Sequence, residues 1–331
     1  MEKRLTVLVT GAGGFIGRHL VESQLELDRK VIAVDIDVAE LRDLSETDNL
    51  QVVEADIRDT GRMVEVLREV DTVFNLAAAH LEVGTEESYF TSVNVIALDG
   101  LLKAASAAGV RRFVHCSSVG VYGSISELPA NEQSPCHPDI AYERSKLEGE
   151  KKVRELADDR GMETVILRPS WVYGPHCPRT LKLISTIAKR RFFFVGPGRN
   201  YRHPIYVSDL MSAFDLAATI PDAHAETILI AGPEAVTVSE LFDIISTSLS
   251  VSYRPWRLPM PIVSLGCAVL EWVFFLLDRQ PPFSRRSLKF FTENSSFSTD
   301  KARTILGFEA QIGLADGIKM TIADARSRHL L

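Results

Sequence analysis

Along the first half of the chain, short runs of Val, Ile and Leu alternate with longer stretches in which apolar residues recur every three or four positions. The short runs are 5–10, 30–35, 50–54, 72–76, 112–117 and 163–168. Near-continuous apolar content suits strands buried on both faces. The longer stretches 14–27, 62–69, 86–108 and 141–159 carry helical periodicity. Strands alternating with helices predict an α/β fold with a parallel sheet wrapped on both sides. After Arg168 the rhythm breaks, as Pro169, Pro175, Pro178, Pro197 and Pro204 interrupt short, mixed segments. The expected division is a first domain over 1–169 and a smaller substrate-binding lobe over 170–331, with some segments returning to the sheet. Helical patterns at 299–306 and 314–328 end the chain, and no internal repeat is visible.

Composition narrows the function. The 331 residues are 46% apolar with a net charge of −7, which argues against disorder and against a nucleic-acid partner, since phosphate binding needs clustered Lys and Arg. Cys116, Cys136, Cys177 and Cys267 are widely spaced, with no CxxC pair, so neither a zinc site nor a disulfide framework is expected. Met1 to Arg4 lead straight into a strand pattern rather than a signal sequence, which points to the cytoplasm. The apolar stretch 262–277 spans 16 residues and contains Glu271, short of the roughly 20 needed to cross a bilayer. Two readings of it stand: a buried or lid helix, or a peripheral contact with a membrane surface.

The chemistry is carried by two motifs. Thr10-Gly11-Ala12-Gly13-Gly14-Phe15-Ile16-Gly17 follows the first strand and opens a helix. Gly11, Gly14 and Gly17 let the backbone turn sharply and approach a pyrophosphate, which the N–H groups of the helix start at Phe15, Ile16 and Gly17 then meet. This is the signature of a Rossmann-type doubly wound sheet holding a dinucleotide. Asp35 ends the second strand 18 residues past Gly17, where a carboxylate accepts the ribose hydroxyls of NAD and repels the 2′-phosphate of NADP. Asp56 with Ile57 closes the third strand, against the adenine. Leu76, Ala77 and Ala78 close the fourth, where small side chains let the cofactor lie on the backbone.

The second motif is Tyr142 and Lys146, one helical turn apart on one face. A phenol has a pKa near 10, and a neighbouring ammonium lowers it toward use as an acid/base at neutral pH. Lys146 also reaches the ribose. Ser118, 24 residues before Tyr142, ends the fifth strand, where its hydroxyl can orient the reacting oxygen. Asn94, on the preceding helix, is placed to brace the Lys146 region.

These pieces, with LRPSWVYGP at 167–175, RHPIYVSDL at 202–210 and STDKARTILGF at 298–308, resemble the extended short-chain dehydrogenase/reductase superfamily, also called the NAD-dependent epimerase/dehydratase family. The resemblance implies Ser118, Tyr142 and Lys146 as catalytic triad, and NAD held by Gly11, Gly14, Gly17, Asp35, Asp56 and Lys146. It also implies a homodimer formed by packing helices 90–108 and 141–158 into a four-helix bundle.

Within the superfamily two subgroups compete. Sugar-nucleotide enzymes usually carry Asn where this chain has Trp171, whereas Arg202 matches the arginine with which they grip a substrate phosphate. The apolar stretch 262–277 resembles 3β-hydroxysteroid dehydrogenases. Val119 and Gly120 after Ser118 lack the acidic pair of dehydratases. The expected activity is hydride transfer between NAD and a secondary alcohol or ketone of a small ring-shaped substrate walled by Trp171, with Arg202 at a polar end. A nucleotide-sugar 4-epimerase using the same triad is the alternative. A non-catalytic NAD sensor fits less well, because Tyr142 and Lys146 are both kept.

Overall fold

A computed structural model describes residues 4–79, 86–157, 161–276 and 285–331. Leu277 and the 158–159 end of the fourth expected helix lie outside them. Seven parallel strands form the central sheet: β1 Thr6–Thr10, β2 Lys30–Asp35, β3 Leu50–Glu54, β4 Thr72–Asn75, β5 Arg112–Cys116, β6 Glu163–Pro169 and β7 Thr227–Ile230. Their spatial order is β7-β6-β5-β4-β1-β2-β3, so the strand order reverses between β1 and β4. The crevice at such a switch point is where doubly wound sheets take their ligand. Every residue of β1 is buried, and each Val or Leu so covered contributes roughly 1.5–3 kcal/mol. That burial explains why the strand shows no polar–apolar alternation.

Helices α1 (Phe15–Glu26), α2 (Thr60–Val66), α3 (Glu87–Thr91), α4 (Leu98–Ala107) and α5 (Ala141–Ala157) cover the sheet. The expected single helix 86–108 is interrupted, because Ser92–Ala97 between α3 and α4 is wound as a π-helix. Later segments also reach the sheet. β7 extends it beyond β6, a strand the sequence pattern did not reveal. Helix α7 (Val207–Thr219) packs its apolar side into the same core as β1 and α1. Arg112 of β5 ties the end of α7 down by donating to the carbonyls of Ala217 and Ile220, each at 3.1 Å.

A second core gathers Tyr173 and Tyr206, α6 (Pro178–Ala188), α8 (Val238–Leu249) and α11 (Leu314–Ser327). Phe290 and Phe291 of α10 (Arg285–Thr292) pack against it, and α9 (Met260–Leu276) packs in turn on α10. Cys267 of α9 is buried with Val195 and Leu288. No helix among the described residues is long and apolar enough to cross a membrane.

Candidate active site

The crevice floor is built by register. Thr10, Asn75 and His115 are consecutive partners across β1, β4 and β5. Thr10 Oγ1 donates to Asn75 Oδ1 at 2.7 Å, and the Asn75 amide donates to His115 Nδ1 at 3.0 Å. Burial, reinforced by the Lys146 charge, pushes the His115 pKa well below its usual value, which suits a neutral ring accepting from Asn75. The row joins three strands through side-chain hydrogen bonds, although the buried His115 Nε2 has no partner among the described residues.

Above the floor, the glycine turn leaves no room for side chains. A Cβ on Gly11, which has φ +71°, would stand 2.6 Å from the Ala77 nitrogen. On Gly17 it would stand 2.0 Å from the Gly11 carbonyl oxygen. The sequence pattern singled out Gly14, whose Cβ would meet its nearest neighbour at 3.3 Å, yet Gly13 is tighter, at 2.1 Å from the Asp37 oxygen. The signal for Gly13 was its place beside Gly14, but its partner loop is not visible in the sequence. Asp35 locks that loop by accepting the N–H of Gly13 at 2.9 Å and of Asp37 at 3.1 Å. Gly14 caps α1 with no side-chain hydrogen bond, so the first-turn N–H groups from Phe15 to Gly17 face the crevice as an anion site.

Asp56 is turned to Arg58, which donates to it from Nε at 2.8 Å, and this hydrogen bonding holds its carboxyl below the usual range. Ile57 is buried, while Leu76, Ala77 and Ala78 are half-buried at the end of β4. Ser170 follows β6, and its buried Oγ has no partner among the described residues. An orphan at the ligand edge of the sheet, together with a cradle that a Cβ would fill, fits a bound dinucleotide.

The candidate catalytic residues lie at the end of β5 and on α5. Lys146 is buried at 3% exposure, and its Nζ donates to the Cys116 carbonyl at 2.6 Å. Burial lowers its pKa, against the pull of Cys116 and Glu150. Ser118 leaves β5 extended and caps the 3₁₀ turn Val119–Tyr122, its Oγ accepting the Gly120 N–H at 3.0 Å. A hydroxyl that accepts there still has its proton to donate. Glu143 backs this turn, since a Cβ on Gly120 would stand 3.1 Å from Glu143 Cγ. Burial pushes the Glu143 pKa up.

Tyr142 packs edge-on to Phe90, ring centres 6.3 Å apart. Asn94 sits inside the π-helical stretch and links three pieces. Its Oδ1 accepts the Ala79 N–H at 2.8 Å, and its Nδ2 donates to Ser145 Oγ at 2.8 Å, which in turn donates to the Tyr142 carbonyl. Gly149 lets α5 pass close, because a Cβ there would stand 2.7 Å from the Asn94 carbonyl oxygen.

One turn beyond Lys146 lies Glu150, fully buried, a residue the sequence reading did not single out. It accepts from Ser117 Oγ at 2.6 Å, from Arg168 at 2.8 and 2.7 Å, and from Arg154 at 2.7 Å. Burial opposes its charge, but the hydrogen bonds and charge of Arg168 outweigh that and hold its pKa low. This cluster clamps α5 to β5 and β6 beside the residues that carry chemistry.

Trp171 and Arg202 share a neighbour, Phe290 of α10. The indole meets Phe290 edge-on at 6.2 Å. The Arg202 guanidinium lies 4.9 Å from the Phe290 ring centre. Its Nε donates to the Phe290 carbonyl at 3.2 Å, Nη2 to the Lys289 carbonyl at 2.6 Å and Nη1 to Ser295 Oγ at 3.0 Å. Arg202 thus caps the carboxyl end of α10, and burial lowers its pKa to about 10.

The sequence matches the NAD dependent epimerase/dehydratase family over residues 7–231. The chain belongs to that family. Its relatives include proteins named as epimerases, dehydratases and a dehydrogenase, several structural neighbours hold NAD, and this chain is an NAD-dependent enzyme. It is 26% identical, over 96% of its length and 94% of the relative's, to the N-acetyl-alpha-D-glucosaminyl-diphospho-ditrans,octacis-undecaprenol 4-epimerase of Escherichia coli O157:H7. It is 24% identical, over 95% of its length and 78% of the relative's, to 3beta-hydroxysteroid-dehydrogenase/decarboxylase isoform 1 of Arabidopsis thaliana. Among solved structures, MoeE5 in complex with UDP-glucose and NAD superposes with a TM-score of 0.79 at 27% identity, covering 98% of this chain and 99% of that one.

Proposed function

We propose that the enzyme is a dehydrogenase or ketoreductase that moves hydride between NAD and a secondary alcohol or ketone on an apolar, ring-shaped substrate. NAD, when bound, accepts the hydride or returns it. The residues of this chain handle the proton. In the oxidative direction Tyr142 takes the hydroxyl proton as the carbon gives up its hydride, leaving a ketone. Ser118 donates a hydrogen bond to the same oxygen, and Lys146 favours the phenolate by charge. Dimerisation through 90–108 and 141–158 belongs to the same reading.

The observation that supports this reading is the aromatic pairing of Trp171 beside an already engaged Arg202. Trp171 and Phe290 form an aromatic surface, and three Arg202 nitrogens already donate within the protein. An aromatic wall favours an apolar ring, and an arginine already bound to carbonyls is less available to a diphosphate. A nucleotide-sugar 4-epimerase is the second reading, favoured by the names of the E. coli relative and of MoeE5.

Steady-state kinetics of Trp171→Ala and Arg202→Ala, on substrates found by thermal-shift screening with NAD, test the choice. The dehydrogenase reading expects Trp171→Ala to lose most of kcat/KM, and Arg202→Ala chiefly to lower Tm by loosening α10. A dominant loss of kcat/KM in Arg202→Ala, with Trp171→Ala nearly silent, transfers the assignment to the epimerase.

A further inference from the structure

Among its described side chains, the outer face of helix α9 is apolar. Its inner side packs through Met260, Val263 and Cys267 onto Val195, Leu288 and Phe291. The opposite side carries Ile262, Leu265 and Val269, at 64%, 67% and 53% exposure, with exposed Gly266 between them. These positions repeat at helical spacing, so they form one stripe where a solvated helix would carry charge. Trp256, just ahead of the helix, is 77% exposed. Exposed apolar residues elsewhere are mostly single, which is ordinary, whereas a contiguous patch marks a surface that something covers.

The charge around the patch says what covers it. Arg254 and Arg257 flank Trp256, and both are exposed. In sequence, residues 254–289 carry six Lys or Arg against two Asp or Glu in a protein whose total is −7. Among the described side chains Arg254 and Arg257 are the basic ones beside Trp256, while Lys289 is paired with Asp139 and Glu293. Two exposed arginines around an exposed Trp, beside an aliphatic stripe, match the interface of an anionic bilayer, with the indole at headgroup level and the guanidinium groups on lipid phosphates. The helix is too short to cross, so it lies along the surface.

We propose that the outer face of α9, with Trp256, Arg254 and Arg257, docks this enzyme on an anionic phospholipid bilayer. The inner face of α9 packs on α10, and α10 presents Phe290 to Trp171 and Arg202. The docked face therefore backs the substrate wall, and a substrate held in the lipid would reach that wall without crossing bulk water. The docking stands whether the substrate is an apolar ring or a lipid-linked sugar, so its failure and that of the proposed reaction are separate results.

The test is co-sedimentation of the full chain, with NAD, on vesicles of mixed phosphatidylglycerol and phosphatidylcholine, compared with phosphatidylcholine alone. Binding is expected on the anionic vesicles and is weakened by salt. Replacing Leu265 and Val269 together by Glu should weaken it at least about tenfold. Arg254→Glu and Arg257→Glu should each weaken it about fivefold or more while leaving the apolar stripe intact. All these sites are exposed, and an unchanged Tm with NAD verifies the fold. Absence of sedimentation at low salt overturns the proposal. So does equal binding by the double Glu variant, or a light-scattering mass that halves in that variant, which would assign the stripe to a second copy of the chain.

Discussion

The cofactor edge and the proposed substrate wall, where Trp171 and Arg202 meet Phe290, are held by different forces. At the edge, Thr10, Asn75 and His115 join three strands in register, and the buried Lys146 and Glu150 of α5 are hydrogen-bonded to β5 and β6. Backbone atoms and short polar side chains do most of the positioning there. At the wall, Trp171, Phe290 and Arg202 meet through ring faces and one capped helix end, and α9 behind them keeps an apolar outer face. An edge made of backbone and register admits little change, because one cofactor must always fit it. A wall made of packed side chains can be rebuilt for another substrate while the edge stays, which is how one fold serves many reactions.

The largest expected difference lies in stability. Glu150→Ala leaves Arg168 buried without its carboxylate, and breaking a buried pair from one side costs about 3–5 kcal/mol. Urea unfolding of this variant should show that loss. Trp171→Ala, at a half-exposed position, should cost clearly less. Equal losses at the two sites would dissolve the contrast between a rigid edge and a replaceable wall. Tyr142→Phe comes next. Turnover should fall by roughly two orders of magnitude or more, with NAD affinity and Tm near wild type, as read by single-turnover kinetics and titration. Normal turnover would remove Tyr142 from the proton transfer.

The same contrast explains what could be read from the sequence. The glycine turn, the Asp35 strand end and the Tyr142–Lys146 pair are local patterns, each within a few residues of a strand or helix boundary, and the six strands read from apolar runs are all present. β7 escaped because Thr227–Ile230 is four residues long and sits among segments of the second half that do not alternate. Glu150 escaped because a charged residue on a helix normally faces water, and its partner Arg168 lies on another element. Arg202 meets α10 across 87–88 residues of chain, a contact no spacing encodes.

Asp35 offers a smaller and sharper test of the edge. Its carboxylate both meets the ribose in the NAD reading and accepts the Gly13 and Asp37 N–H groups. Asp35→Ser should therefore weaken NAD binding and narrow the preference over NADP, by about tenfold. Competitive titration of both dinucleotides measures each effect. Equal wild-type affinity for NAD and NADP would exclude Asp35 as the selecting group.

The smallest effect is on the pH dependence of stability, and it separates edge from wall. His115 lies in the edge. His203 lies beside the wall, its Nε2 hydrogen-bonded to the Gly232 carbonyl at 2.8 Å and its Nδ1 accepting the Phe297 N–H at 3.2 Å. Burial lowers the pKa of both, with the Lys146 charge adding to the shift at His115. An unfolded chain takes up these protons near pH 6.5, whereas the folded protein resists until lower pH. The stability that each neutral ring contributes is therefore complete above about pH 6.5 and is lost as pH falls below it, at up to ~1.4 kcal/mol per pH unit for each proton. Protonating His203 would set a proton against the Phe297 N–H, and protonating His115 would remove the acceptor of the Asn75 amide. His115→Gln and His203→Gln should each flatten the acid limb of a urea-unfolding profile taken between about pH 7.5 and 5.5. NAD affinity should weaken with acid in wild type and in His203→Gln, because the Asn75 row underlies the crevice. It should depend less on pH in His115→Gln. An acid limb equally steep in all three proteins would place its cause in other groups and leave the floor's neutral histidine without a measurable role.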